Sequence, residues 1–293
     1  MISENTAQLA FPNLSFEPPH PASGGFKHAY FVRSASDVPL VLKLYSKPVK
    51  PDEDDDDDDE YMTSDDDERA RRELAALSSI NSPHLIRLTD GPGHVEIDGH
   101  LHLWFIEPRL PSTLADHQSE APWAAERTRN LMRDLLTGAA ALHSSGLVHR
   151  DIKPANIGIE HSGKAVLFDF GIAFLMNATR VTEPNALAPN TTLFSAPEQF
   201  DPRAVPNPRI DQFQIGLCSY VMATGVHPFW NPVDRPENVF AYLQIIQQGP
   251  DVERLVACGQ PEDVVEAITR MLGFRPYQRF RTDEHALRAI GGG

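Results

Sequence analysis

The 293-residue chain has only two cysteines, Cys218 and Cys258, far apart and without CxxC spacing. That excludes a disulfide scaffold and a cysteine-built zinc site, and it suits a reducing compartment. No run approaches the roughly 18 consecutive apolar residues of a membrane-spanning helix. The opening MISENTAQLAFPNLSFEPP is acidic and interrupted by prolines, which does not fit a secretory signal. A soluble, cytoplasmic protein with no membrane partner is therefore expected. The chain also lacks a cluster of Lys and Arg that would form a basic face, so no nucleic-acid partner is expected. What is present is an ordinary globular composition, 41% hydrophobic and 23% charged, in a length that allows one or two domains with a sizeable core.

The net charge of −15 is local. Residues 52–60 (DEDDDDDDE) and 65–68 (DDDE) hold 13 of the 41 acidic side chains, which leaves −2 for everything else. Adjacent like charges with nothing apolar to bury cannot form a packed element. Residues 48–68 are therefore read as an acidic mobile insertion. Its 13 carboxylates make it a candidate docking segment for a basic partner, against the plainer reading of a solvated loop.

Hydrophobic patterning divides the chain. Residues 29–32 and 38–45 read as strands, and residues 68–80 read as an amphipathic helix with Leu74, Leu77 and Ile80 on one face. A hairpin follows, HVEI and HLHLWFIE around Asp98-Gly99. Beyond a hinge near Pro108–Pro111 the pattern turns helical. One helix is expected over residues 122–144, opening at Pro122, carrying Leu131, Leu135, Ala139 and Leu142, and stopped by Gly146. Residues 165–168 read as a short buried strand, and residues 211–224 and 261–272 as further helices.

The strongest signal is the run His149-Arg150-Asp151-Ile152-Lys153-Pro154-Ala155-Asn156. Asp169-Phe170-Gly171 begins 18 residues after Asp151, and Ala196-Pro197-Glu198 begins 27 residues after Asp169. Each tripeptide alone is weak. Together, in this order and spacing, they resemble the protein kinase superfamily, of the serine/threonine (Hanks) type, and the Gln199 that follows resembles bacterial members. The resemblance covers about residues 24–285.

It implies an α+β, bilobal protein kinase-like fold: an N-terminal extension (1–20), an N-lobe of antiparallel sheet plus one helix (21–107, containing the insertion), and a larger, mainly helical C-lobe (108–293). It also implies transfer of the γ-phosphate of ATP to protein Ser/Thr hydroxyls, on partner proteins and on the chain itself, with Mg²⁺ or Mn²⁺. The transition state spreads negative charge over phosphate oxygens, so such catalysis is mostly positioning and electrostatic stabilisation. By resemblance Asp151 receives or orients the substrate hydroxyl and Lys153 reaches the transferring phosphate. Asn156 and Asp169 supply the hard oxygens that Mg²⁺ prefers.

Lys43 matches the strand lysine that holds the α- and β-phosphates, and Glu73 matches its helix partner. Gly24 and Gly25, beside Phe26, match the phosphate-covering loop, although Ala22 and Lys27 stand where two further glycines are expected. Ile106 matches the residue guarding the back pocket, and the backbones of Glu107 and Arg109 match the adenine contacts. Gly158 departs from the pattern, since a large apolar residue normally supports the base there; weaker nucleotide packing is expected. Asp211 matches an aspartate bracing the catalytic loop, and Arg279 matches the partner of Glu198. Between Asp169 and Glu198, Thr179, Thr182, Thr191 and Thr192 are candidate phosphosites, because Arg150 precedes the catalytic aspartate in the arrangement that receives a phosphate. Two rival readings stand beside the kinase. One is a pseudokinase scaffold, suggested by the irregular glycine segment and Gly158. The other is a small-molecule phosphotransferase, which the segment NTTLFSAPE argues against.

Overall fold

The structure, a computed structural model, describes residues 2–19, 27–49, 61–170, 194–201, 203–205, 207–230 and 236–291. Gly24, Gly25 and Phe26, acidic residues 52–60, and Thr179, Thr182, Thr191 and Thr192 lie outside the described residues. The chain divides into two units, Met1–Ile80 with Ile86–Arg109, and Asn81–Leu85 with Leu110–Gly293. The first is built on an antiparallel sheet and the second is mainly helical, an α+β fold as expected.

In the first unit a short helix, α1 (Glu4–Ala10), is capped by Ser3, whose side chain accepts from the Thr6 amide at 3.1 Å. Such a cap satisfies an amide that the helix itself leaves without a partner. After it come β1 (Ser15–Phe16), β2 (Lys27–Arg33), β3 (Pro39–Tyr45), the helix α2 (Ser64–Ser79), β4 (Asp90–Ile97) and β5 (His100–Pro108). The sheet order is β1-β2-β3-β5-β4, with every neighbouring pair antiparallel. Asp98 and Gly99 close the β4–β5 hairpin with φ of 51° and 81°, the left-handed pair that a two-residue hairpin turn needs.

One sheet face carries Tyr30, Val32, Leu40, Leu42, Leu44, Ile97 and Ile106, and Ala7 of α1 belongs to the same buried cluster. Phe11 meets Trp104 edge to face at 5.2 Å, and the Tyr30 hydroxyl donates to the Ile2 carbonyl at 2.8 Å. Residues 2–16 therefore form an outer layer of the sheet unit. At seven residues, with prolines after it, α1 is too short for periodicity to reveal.

The helix expected from Glu68 begins one turn earlier, at Ser64. Thr63 caps it by accepting from the Asp66 amide at 3.1 Å, which places Asp65, Asp66 and Asp67 in the first turn, where negative charge suits the helix dipole. The ends flanking residues 51–60 are tied to each other: the Met62 amide donates to the Pro48 carbonyl at 2.8 Å, and the Val49 amide to the Leu101 carbonyl at 2.7 Å.

The second unit opens with β6 (Ser112–Thr113) and α3 (Ala125–Ser144), followed by β7 (Ile157–Ile159) and β8 (Ala165–Leu167) in a sheet of order β6-β7-β8. The helix α3 starts three residues later than Pro122 suggests, because Trp123 is held outside it. The Trp123 ring is buried and its amide donates to the Met222 carbonyl at 2.7 Å. Leu131, Leu135, Ala139 and Leu142 are buried as expected, and Gly146 ends the helix at φ 76°. Gly138 is needed for contact: a Cβ there would lie 2.7 Å from the His84 carbonyl oxygen.

Helix Arg209–Thr224 is buried all round from Ile210 to Thr224, which makes it the core against which the other helices pack. Helices Val239–Gln247, Val252–Ala257, Glu262–Met271 and Asp283–Ala289 complete the unit. Among the described residues no helix is long and apolar enough to cross a membrane.

Candidate active site

The segment 149–156 links α3 to β7 and brings three polar side chains together. Lys153 Nζ donates to both carboxylate oxygens of Asp151, at 3.1 and 2.8 Å. The amide nitrogen of Asn156 donates to the Asp151 carbonyl at 2.9 Å and to its carboxylate at 2.8 Å. With its NH₂ committed to Asp151, Asn156 has its carbonyl oxygen as the atom to offer a cation. Asp169 follows β8 at φ 57°, a left-handed conformation that a non-glycine residue adopts when its surroundings over-determine it. Asn156 and Asp169 together offer hard oxygen donors of the kind Mg²⁺ takes alongside water and substrate phosphates.

Buried groups hold the segment in shape. Asp211, fully buried near the start of helix Arg209–Thr224, accepts from the amides of His149 and Arg150, both at 2.8 Å. Arg150 itself sits at φ 67°. Gln214, one turn further on, takes the Ile152 amide at 3.0 Å and donates to the Arg150 carbonyl at 3.0 Å. Gln199 donates to the same carbonyl at 2.9 Å. His149 Nε2–H donates to the Phe168 carbonyl at 3.1 Å, and its ring lies 4.8 Å from that of Phe170. Burial lowers the His149 pKa, so the ring serves as a neutral strut between segment 149–156 and the residues before Gly171.

His143, at the end of α3, donates from Nε2 to Asp211 at 2.8 Å and from Nδ1 to Asp283 at 2.5 Å. Burial pushes its pKa down, but the two carboxylates outweigh burial and raise it to about 9. His143 is thus a buried cation, and it holds the pKa of Asp211 below the usual carboxylate range against the opposing effect of burial.

Glu198 meets Arg279 in a two-pronged pair, 2.6 and 2.9 Å, with the guanidinium also donating to the carbonyls of Arg209, Gly273 and Phe274. Sequence reasoning singled out Asp211 and Arg279, noted Gln199 only as a family mark, and missed Gln214, His143 and Asp283. A signal was present for Gln214: two glutamines in a mainly apolar helix call for buried partners.

In the sheet unit, Lys43 Nζ pairs with Glu107 Oε1 at 3.5 Å, both side chains almost fully buried. Glu73, the partner implied by resemblance, pairs with Arg69 at 3.7 Å on α2. Register explains the Lys43–Glu107 pair. Lys43 stands opposite Phe105 and Val41 opposite Glu107, so Lys43 and Glu107 share a sheet face. Ile106 points the other way, into the cluster beneath α1. The residue expected to guard a back pocket is therefore a core residue, and Glu107 takes the lysine-bearing face. The Arg109 amide donates to the Pro39 carbonyl at 3.2 Å, while its guanidinium covers Phe31 at 3.7 Å and reaches Glu17 at 3.3 Å.

Gly158 is not underpacked. A Cβ on it would lie 2.0 Å from Leu110 Cδ1 and 3.1 Å from Cγ, so the Leu110 side chain already fills the place that a large residue at 158 would take.

A sequence profile of the protein kinase domain matches residues 43–288. The serine/threonine-protein kinase PrkC of Bacillus subtilis is 26% identical over 217 residues, covering 74% of this chain and 32% of PrkC. AfsK of Streptomyces coelicolor, also a serine/threonine-protein kinase, is 29% identical over 238 residues, covering 80% of this chain and 27% of AfsK. The chain thus spans about a third or less of the length of these curated relatives. Among solved structures, Rad53 1–466 in complex with AMP-PNP superposes with a TM-score of 0.71 at 22% identity, over 97% of this chain and 66% of that one; the likeness is one of fold.

Proposed function

The chain belongs to the protein kinase domain family, and from that premise we propose that it moves the γ-phosphate of ATP onto Ser/Thr hydroxyls of proteins, including its own. One observation carries the reading. Asp151 is held by both Lys153 and Asn156 on a segment whose backbone is fixed by Asp211. A scaffold has no use for a carboxylate pinned in this way, whereas phosphoryl transfer depends on positioning.

Asp151 would orient the substrate hydroxyl and take its proton as the new O–P bond forms and the bond from the γ-phosphorus to the β–γ bridging oxygen breaks, with ADP leaving. Lys153 holds the Asp151 carboxylate in place and offers its ammonium to the transferred phosphoryl oxygens. Lys43 would bind the α- and β-phosphates. Asn156 Oδ1 and the Asp169 carboxylate would hold Mg²⁺, which when bound neutralises charge on the phosphate oxygens.

The test is intact-protein mass after incubation with ATP and Mg²⁺, alone and with a general protein substrate. Wild type should add 80 Da increments, the mass of one phosphoryl group (HPO₃, roughly 80 Da), while Asp151→Asn and Asp169→Ala should not. Equal incorporation in all three would place the chemistry elsewhere. Absence of incorporation in wild type on every substrate, together with no thermal shift from ATP, would overturn the reading.

A further inference from the structure

The carboxylate that the sequence pattern assigns to Lys43 lies on a helix; the structure brings a carboxylate to it from the neighbouring strand β5. We propose that Glu107 is a positioning residue for Lys43. Its side chain, and not only its backbone, belongs to the phosphate-holding machinery. The proposal rests on the phosphoryl-transfer reading above for what Lys43 does, but the pairing itself is independent of that reading.

Three observations carry it. First, the pair is buried: the Lys43 side chain is 9% exposed and that of Glu107 3%. A buried ammonium without a carboxylate is far costlier than a paired one, so the contact is not the incidental kind seen on surfaces. The Glu73 side chain, at 25% exposed, is less shielded from solvent than Glu107.

Second, the geometry is fixed by backbone. β3 and β5 are joined in continuous register from Leu40↔Pro108 to Leu44↔Trp104. Because successive side chains alternate faces, Glu107 cannot leave the Lys43 face without a slip of the whole register. A helix partner, in contrast, depends on how a helix is docked.

Third, the residue beside it shows that the face is a choice. Ile106 is apolar and is buried under α1, whereas the acid at 107 takes the face carrying the lysine. An unpaired acid on that face would be a liability. Two residues along from the position opposite Lys43 and on the same face, it sets where the ammonium points.

The experiment has two arms. The first needs no activity: Lys43→Met, Glu107→Met and the double variant are unfolded in denaturant. Each single change should destabilise, and the double should recover most of the loss, because both charges leave together. Additive losses would overturn the pairing. The second arm measures ATP kinetics for Glu107→Gln, Glu107→Asp and Glu73→Gln. Glu107→Gln keeps shape and removes charge. It should raise KM for ATP about tenfold, more than Glu73→Gln does, and Glu107→Asp should fall between it and wild type. Should Glu73→Gln abolish turnover while Glu107→Gln behaves as wild type, Glu107 is a structural acid and the proposal fails. Should wild type neither bind nor turn over ATP, the phosphoryl-transfer reading fails and takes the positioning role with it. The stability cycle would then still report on the pair alone.

Discussion

His143 and Asp211 are joined by a 2.8 Å hydrogen bond inside the helical unit, and the same aspartate carries the backbone of residues 149 and 150. The folded pKa of His143, about 9, lies above its ordinary value of 6.5. Its contribution to stability is therefore fully present below pH 6.5 and is lost as pH rises through 9. That contribution is on the order of 3 kcal/mol, at about 1.4 kcal/mol per pKa unit. Denaturant unfolding between pH 6 and 9.5 should show wild type weakening with an alkaline limb, which His143→Gln flattens while being less stable at pH 6.5. A variant with the same limb would place the titration elsewhere.

Asp211→Asn should act on the reaction more than on the fold's gross shape. It keeps one acceptor for the two amides but drops the charge opposite His143. Loss of a buried, charge-assisted acceptor costs about 1–3 kcal/mol. Turnover should fall by at least tenfold with KM for ATP little moved, because the segment carrying Asp151 loses its fixed shape. A change confined to KM would contradict this.

The Leu110–Gly158 contact predicts a compensating pair. Gly158→Leu alone forces Leu110 out of its place and should destabilise by about 1–3 kcal/mol, as overpacking does. Joined to Leu110→Gly, the same substitution should lose less than the sum of the two single changes. Leu110→Ala alone should raise KM for ATP several-fold, since Leu110 takes over the apolar surface expected at 158. Strict additivity in unfolding free energies would show that the two positions do not share one space.

Arg279→Met leaves Glu198 next to a cluster of carbonyls without its cation, and about 3–5 kcal/mol of stability should go. Arg279→Lys should recover little of it, because a point charge cannot reproduce a fork that serves Glu198 on two prongs and three carbonyls besides. Thermal unfolding of the two variants separates these outcomes.

The legibility of the site followed the locality of its signals. Asp151, Lys153 and Asn156 lie within six residues, and the short range of their contacts reflects that spacing. The α+β division was legible because strand alternation and helix periodicity are themselves local. Partnerships across the chain were not. His143 with Asp283 spans 140 residues, and nothing in either neighbourhood marks the other. The face taken by Glu107 turned on a one-residue question of register, which strand patterning alone leaves open when β3 is buried on both sides. Leu110 filling the place of Gly158 was invisible for the same reason: a missing side chain shows in a sequence, but the neighbour that replaces it does not.

The outer layer formed by α1 separates two kinds of boundary. The protein kinase domain profile matches from Lys43, inside β3. The stretch that folds starts with Ser3 and Glu4, since Ala7, Tyr30, Val32, Leu40 and Ile106 close a single buried cluster. Trimming the gene to the matched part would remove β1, β2 and residues 39–42 of β3 and strip the sheet of its cover, leaving a greasy, unpaired sheet edge of the sort that recruits other chains. Recombinant work on this protein should therefore begin at the first helix. A binder raised against the outer sheet face would have to peel α1 away before it could dock.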